Sequence, residues 1–153
     1  MGLYISLPNI VDKDEDLARV IHGGSSRKSI KRLFNIETKK VQPSRFIDTR
    51  NPIELSVNRI STLNDKDVHN LGINHTDQIN RTRTDNDRND IYYGYAVLKA
   101  GLCFEEKCRV LKDDEGGKKP YHANIVYPNQ TKADNMEIAN ILAFKSELVL
   151  YTE

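Results

Sequence analysis

The sequence predicts one α+β domain: an antiparallel sheet covered by a buried C-terminal helix and by short N-terminal helices. Three observations carry that expectation. The run Ile91–Phe104 is the most apolar part of the chain, with a strongly polar stretch before it and a charged segment after it. In Ile53–Asn58, Ile53, Leu55 and Val57 alternate with Glu54, Ser56 and Asn58, the two-residue period of a half-buried strand. Near the C-terminus, Met136, Ile138, Ala139, Ile141, Leu142, Ala143 and Phe144 spread nearly all the way round a helix, as in a buried one. A chain of 153 residues is long enough to bury one core unaided, and neither a linker nor a repeat divides it.

The elements follow in order. Leu3–Val11 alternates loosely around Pro8 and suits an edge strand or an extended arm. Asp12 or Asp14 caps a short helix carrying Leu17, Val20 and Ile21, which His22-Gly23-Gly24 ends. Ser25-Ser26 offers a second cap for a basic amphipathic helix through Phe34. Pro43 marks a loop or short strand, and the strand Ile53–Ile60 follows the turn-prone Asp48–Pro52. Strict alternation puts Arg59 on the apolar face of that strand, where it is either paired with a carboxylate or available to an anion.

Asn64 or Asp65 caps a turn of helix through Leu71, with Gly72 as its stop. Residues 74–90 contain one aliphatic side chain, Ile79, and read as a long polar loop. After the central run, Lys107–Lys112 and Tyr121–Tyr127 flank Asp113–Pro120 with its two glycines, a hairpin pattern. Thr131 or Asp134 starts the last helix, and Leu148–Tyr151 either extends it or forms a final strand.

The formal net charge is +1, which excludes a polycation, but the charge is unevenly spread. Between Arg27 and Arg50, eight basic residues (Arg27, Lys28, Lys31, Arg32, Lys39, Lys40, Arg45, Arg50) face only Glu37 and Asp48. Such a local field attracts polyanions or an acidic partner surface. Two cysteines, no signal-peptide pattern and no membrane-length apolar run lead to the expectation of a cytoplasmic chain with reduced thiols and no membrane partner.

The chemistry-bearing patterns are short. Cys103-x4-Cys108 and His69-x5-His75 have spacings found in zinc sites, although the order is unusual. If the central strand runs on, the two cysteines fall on opposite faces, so the expectation is no metal and no cofactor. Asp85–Asp90 begins like a calcium loop but lacks the glycine and the closing acid. Asp90 with Glu105-x-Lys107 mimics a nuclease arrangement at a spacing that charged chains meet by chance. His22 and His122 are candidates for general base and acid, with Arg59 and Tyr95 or Tyr121 holding an anionic group. Neither a phosphate-binding loop, a dinucleotide fingerprint nor a nucleophile elbow is present in the sequence.

Three phrases, Arg45-Phe46 with Glu54–Arg59, then Gly94–Leu98, then Tyr121–Ile125, stand in an order that resembles a group of small bacterial proteins with no activity attached. The resemblance implies a bacterial origin and carries no mechanism. Two functions are therefore expected. The first is a non-catalytic accessory subunit of a bacterial multi-protein system, contacting a partner protein or nucleic acid through the basic Arg27–Arg50 surface. The alternative is a small enzyme acting on a nucleotide or phosphorylated substrate through His22, His122 and Arg59.

Overall fold

The computed structural model describes residues 7–83 and 89–152. It is the expected α+β arrangement: a six-stranded antiparallel sheet with helices on both faces. The strands are β1 (Asp16–Gly23), β4 (Glu54–Arg59), β5 (Ile91–Lys99), β6 (Arg109–Lys112), β7 (His122–Val126) and β8 (Glu147–Leu150), in spatial order β6-β7-β4-β1-β5-β8. A two-stranded ribbon, β2 (Phe34–Asn35) with β3 (Lys40–Val41), lies apart from it. The helices are α1 (Arg27–Lys31), α2 (Asp65–Thr82), α3 (Ala100–Glu105) and α4 (Lys132–Lys145).

The main core lies on one face, where Leu17, Ile21, Leu55, Val57, Ala96, Leu98, Ala123 and Ile125 meet Phe46, Ala139, Leu142 and Ala143. The elements above them are α4, the ribbon and a 3-10 turn at Pro43–Phe46. The other face carries α2, whose Val68 packs with Ala18, Ile60 and Tyr95. Because α2 lies over β1 and β5, the outer face of β4 and β7 stays uncovered, and this opening becomes the cleft described below.

Several sequence expectations need correction. The segment Asp16–Gly23 is a strand rather than a helix. Leu17 and Ile21 face the main core while Ala18 faces α2, so both faces are covered and the apolar spacing fits a helix by coincidence. The expected 74–90 loop is largely helix, since α2 continues to Thr82; residues 84–88 lie outside the described residues, as does most of the calcium-like run Asp85–Asp90.

Gly72 does not stop α2. A Cβ there would stand 2.2 Å from Tyr92 Cε1, so the glycine lets a ring pack against the helix. The buried stripe of α2 is Val68, Gly72 and Thr76, too small and polar to register as an apolar period.

The central run divides into β5 and α3, and Leu148–Leu150 belongs to the strand β8. Of the expected Leu3–Val11 arm, residues 3–6 lie outside the described residues, and Ile10 makes an isolated bridge to Leu111. The β6–β7 hairpin forms as read, with Gly116 at φ +68° in its turn. Helix α4 starts at the cap Thr131, whose side chain accepts from Asp134 N at 3.2 Å. It is buried on one face only: Phe144 is 69% exposed, with the Lys40 ammonium 4.9 Å above its ring.

Candidate functional site

The site begins as a defect in the sheet. Strands β1 and β4 pair only at Leu17↔Arg59 and Ala18↔Asn58, then part. Beyond that point Ser56 has no backbone partner on the β1 side, and Arg19 fills the seam. Its Nε donates to the Arg45 carbonyl at 2.9 Å and its Nη1 to the Ser56 carbonyl at 3.0 Å. Above the seam lies a cleft of about 500 Å³ between α2, the outer face of β4 and β7, and the β6–β7 turn. Its lining is mixed: Ser56, Asn58, Asn74, His75, Gln78 and Asn124 share it with Val20, Leu71, Pro120 and Tyr121. That volume is typical of sites for small molecules.

The cleft lining carries both signs of charge, Arg19, Lys118 and Lys119 against Glu54, Asp113 and Glu115. Burial lowers the Arg19 pKa to about 10, with the adjacent Arg45 acting in the same direction. Asp48 offsets this in part, yet among the described residues no carboxylate forms an ion pair with Arg19 or Arg45. The Arg45 Nε is buried without a hydrogen-bond partner among the described residues. His75 lines the cleft from α2, and its pKa falls to about 4. The residue is exposed on α2, but its ring is crowded by neighbours; their desolvation of it is the first cause, followed by the positive groups His22, Arg19, Lys119 and His122. Four cationic or protonatable side chains from β1, β7 and the hairpin turn thus direct their field at one neutral imidazole.

Beside His75, with ring centroids 5.6 Å apart, stands His22. A β-bulge in the β1–β5 pairing leaves Tyr93 without a partner, so that His22 pairs with Tyr92 and shares its face. Its Nδ1 donates to Asp90 Oδ2 at 2.7 Å. Asp90 is in turn gripped by Arg83, at 2.8 Å from Nη1 and 3.2 Å from Nη2. Its backbone exchanges bonds with the Asn80 side chain, at 2.8 and 2.9 Å. Burial alone would raise the Asp90 pKa, but the bonds from His22 and Arg83 hold it below the ordinary carboxylate value. Because an ionised carboxylate only accepts, the proton of neutral His22 sits on Nδ1 and Nε2 carries the free lone pair. Burial also lowers the His22 pKa, against the opposing pull of Asp90.

His122 lines the far end of the cleft. Its Nδ1 donates to the Asp113 carbonyl at 2.9 Å, which likewise leaves Nε2 free in the neutral ring. His22 and His122 share one face of the sheet. They do not meet: His122 pairs with Asn58 and Asn58 with Ala18, four residues before His22 on β1. That register separates the two by roughly 16 Å along the sheet.

Arg59 departs from the expected site entirely. It is 1% exposed on the main-core face and bonded to Glu15, so it belongs to the fold. The nuclease-like group is also divided, with Asp90 and the pair Glu105 and Lys107 beyond opposite ends of β5. Tyr95 is buried and donates to Asp65, while Tyr121 lines the cleft.

The zinc-spaced residues do not converge. His69 bonds Tyr92 on the α2 side, whereas Cys103 and Cys108 belong to the main core. No group of three metal-binding side chains occurs among the described residues. No helix among them is long and apolar enough to cross a membrane.

The basic residues of the Arg27–Arg50 segment form a surface. Arg27, Lys28, Lys31, Arg32, Lys39, Lys40 and Arg50 are exposed and Arg45 is half-buried. None of the eight forms an ion pair among the described residues. Helix α1 follows directly from the His22 end of β1, so this surface adjoins the seam that holds Arg19 and Arg45.

Sequence reasoning missed Arg19, Arg83 and the amide-rich lining. Had Asp16–Gly23 been read as a strand, the alternation Leu17-Arg19-Ile21 would have flagged an arginine on an apolar face. No family profile matches the chain, and no curated protein or solved structure is significantly similar to it.

Proposed function

We propose that the protein binds a phosphorylated small molecule or nucleotide in the cleft between α2 and strands β4 and β7. One observation carries this reading: Arg19, which lines the cleft at the parted β1–β4 seam beside Arg45, has no ion-pairing carboxylate among the described residues. Two adjacent, partly buried guanidinium groups repel each other and lose part of their hydration, and an anion at Arg19 offsets both costs. A planar donor fork such as that of Arg19 suits phosphate oxygens. The rest of the cleft combines side-chain amides and the Ser56 hydroxyl with Leu71, Pro120 and Tyr121, which suit the hydrogen-bonding and ring parts of such a molecule, while Lys118 and Lys119 offset Glu54, Asp113 and Glu115.

The test is thermal unfolding of the full chain at constant ionic strength, with inorganic phosphate, adenosine monophosphate or chloride. The expected result is a rise in Tm with the phosphorylated compounds that saturates, and its loss in Arg19→Met. At a hundred times Kd the stabilisation is about 2.7 kcal/mol. Equal curves in all three salts would refute the proposal.

A second reading is supported by the eight basic residues without ion pairs: an accessory subunit that contacts nucleic acid or an acidic partner protein through α1 and the β2–β3 ribbon. Anisotropy of labelled DNA and RNA over a salt series tests its nucleic-acid branch. Steep salt dependence, lost in Lys28→Glu/Lys31→Glu/Arg32→Glu, is the expected result. No binding at low salt removes that branch and leaves a protein partner.

A further inference from the structure

We infer that the ligand of the cleft is a nucleotide whose base enters a second, smaller pocket at the start of α2, where Asp67 selects guanine. The inference rests on the anion-binding reading and names the rest of the molecule.

The cleft does not end at Tyr121. A pocket of about 280 Å³ continues from it, sharing Leu71, Asn74 and Tyr121 with the cleft and adding Leu63, Asp67 and Asn70. The two lobes form one groove along a single face of α2, because Asp67, Asn70, Leu71, Asn74 and Gln78 fall at i, i+3, i+4, i+7 and i+11.

The sheet sets the distance between the lobes. Arg19 donates to the Ser56 carbonyl, Ser56 pairs with Asn124, and Tyr121 lies three residues before Asn124. The Arg59 N–H donates to the Tyr121 carbonyl, so the β4–β7 register holds that far. At the rise of a strand, Tyr121 stands roughly 10 Å from the guanidinium along the sheet. An inorganic anion at Arg19 leaves that length empty. A 5′-nucleotide, with its sugar between phosphate and base, spans it.

The chemistry of the smaller pocket suits a base. Leu63 and Leu71 come from the α2 side and Tyr121 from the start of β7, so an apolar wall and an aromatic ring border the space from different elements. Asp67, Asn70 and Asn74 line the same space, and no cation pairs with Asp67 among the described residues. An ionised carboxylate only accepts hydrogen bonds. Among the four common bases, guanine alone presents two donors side by side, N1–H and the 2-amino group, and one carboxylate takes both. Adenine and cytosine present a donor beside an acceptor there, and uracil one donor between two acceptors. The two amides both donate and accept, which suits guanine O6 and the ribose hydroxyls.

The acids of the larger lobe leave Arg19 to the phosphate. Lys119 pairs with Glu115 at 3.3 Å, and the Asn124 amide donates to Asp113 at 3.0 Å. Glu54 is exposed at the end of β4 opposite Tyr121.

The experiment is calorimetric titration of the full chain, at constant ionic strength, with the 5′-monophosphates of guanosine, inosine, adenosine and cytidine and with inorganic phosphate. Guanosine monophosphate should bind at least about 10-fold more tightly than the adenosine and cytidine compounds. Inosine monophosphate, which keeps N1–H and lacks the 2-amino group, should fall between. Asp67 is exposed, so Asp67→Asn should fold normally. It should bring guanosine monophosphate to the adenosine level while leaving the Kd of inorganic phosphate unchanged. Equal affinity for the guanosine and adenosine compounds overturns the inference, as does a guanine preference that survives Asp67→Asn. In both cases a phosphate-induced rise in Tm that Arg19→Met abolishes leaves the binding reading standing. No rise in Tm with any phosphorylated compound refutes the binding reading, and this inference with it.

Discussion

Arg59 donates from Nε and Nη2 to the two carboxylate oxygens of Glu15, at 2.8 and 2.9 Å, and from Nη1 to the Pro8 carbonyl at 2.7 Å. The fork joins the last residue of β4 to the turn before β1 and leaves the guanidinium 1% exposed. Glu15→Ala strands that charge in the core and should cost about 3 kcal/mol in urea unfolding. Arg59→Met should cost less, because Glu15 is partly exposed and rehydrates while the thioether fills the space. Equal losses would show that packing, and not charge, sets the effect.

The same pair has a pH signature. Burial raises the Glu15 pKa, but the bonds from Arg59 outweigh it, and the folded value lies below the ordinary 4.5. Between these values the unfolded chain binds more protons than the folded one. This contribution is therefore complete above pH 4.5 and is lost as pH falls through the lower folded value. Glu15→Gln should flatten the urea midpoint against pH over that acid window.

Gly94 holds φ +153° at the irregular register between β1 and β5, and an added Cβ would stand 2.1 Å from the Val149 carbonyl oxygen on β8. That oxygen is backbone, so relief requires moving a strand. Gly94→Ala should destabilise the fold by about 2 kcal/mol or more. By contrast, Gly116→Ala meets nothing within 4 Å and pays only for its left-handed φ of +68°, about 1 kcal/mol.

What was legible in the sequence follows from where tertiary context agreed with local pattern. Strand β4 has one face in the core and one in the cleft, so its alternation was plain, including Arg59 on the inner side. The β6–β7 hairpin and the Thr131 start of α4 were likewise marked by turn and cap chemistry. Strand β1 is covered on both faces, which erased its period. Helix α2 packs through Val68, Gly72 and Thr76, because Tyr92 supplies the bulk from the sheet. The cleft was least legible. Arg19 and Asn124 sit on strands separated in space by β4, and no spacing rule joins residues that a sheet order of β7-β4-β1 brings together.

Both cysteines are buried and free, and burial pushes each thiol up to about 12. Reactivity requires the thiolate. At pH 8 in the native state, Cys103 and Cys108 should therefore react with a disulfide reagent far more slowly than in urea, where both should be titrated at once. Fast labelling of either in the native protein would contradict the packing around them.

His75 provides the last test, because it reports on fold and cleft together. Though the residue is exposed on α2, its folded pKa of about 4 lies below the ordinary 6.5, first through desolvation by the groups crowding its ring and then through His22, Arg19, Lys119 and His122. Between pH 6.5 and 4 the unfolded chain holds a proton that the folded chain rejects, so unfolding free energy rises with pH there. Stability from this group is complete above pH 6.5 and is lost progressively as pH falls towards 4. The urea midpoint should thus drop between pH 7 and 5, and His75→Gln should drop less. Phosphate in the cleft would offset the positive field and raise the His75 pKa, so saturating phosphate should also flatten the wild-type slope. It should leave the slope of Arg19→Met unchanged. A histidine proton titration read by NMR, with and without phosphate, measures the shift directly; an upward move of His75 that is absent in Arg19→Met would tie the imidazole and the arginine to one bound anion.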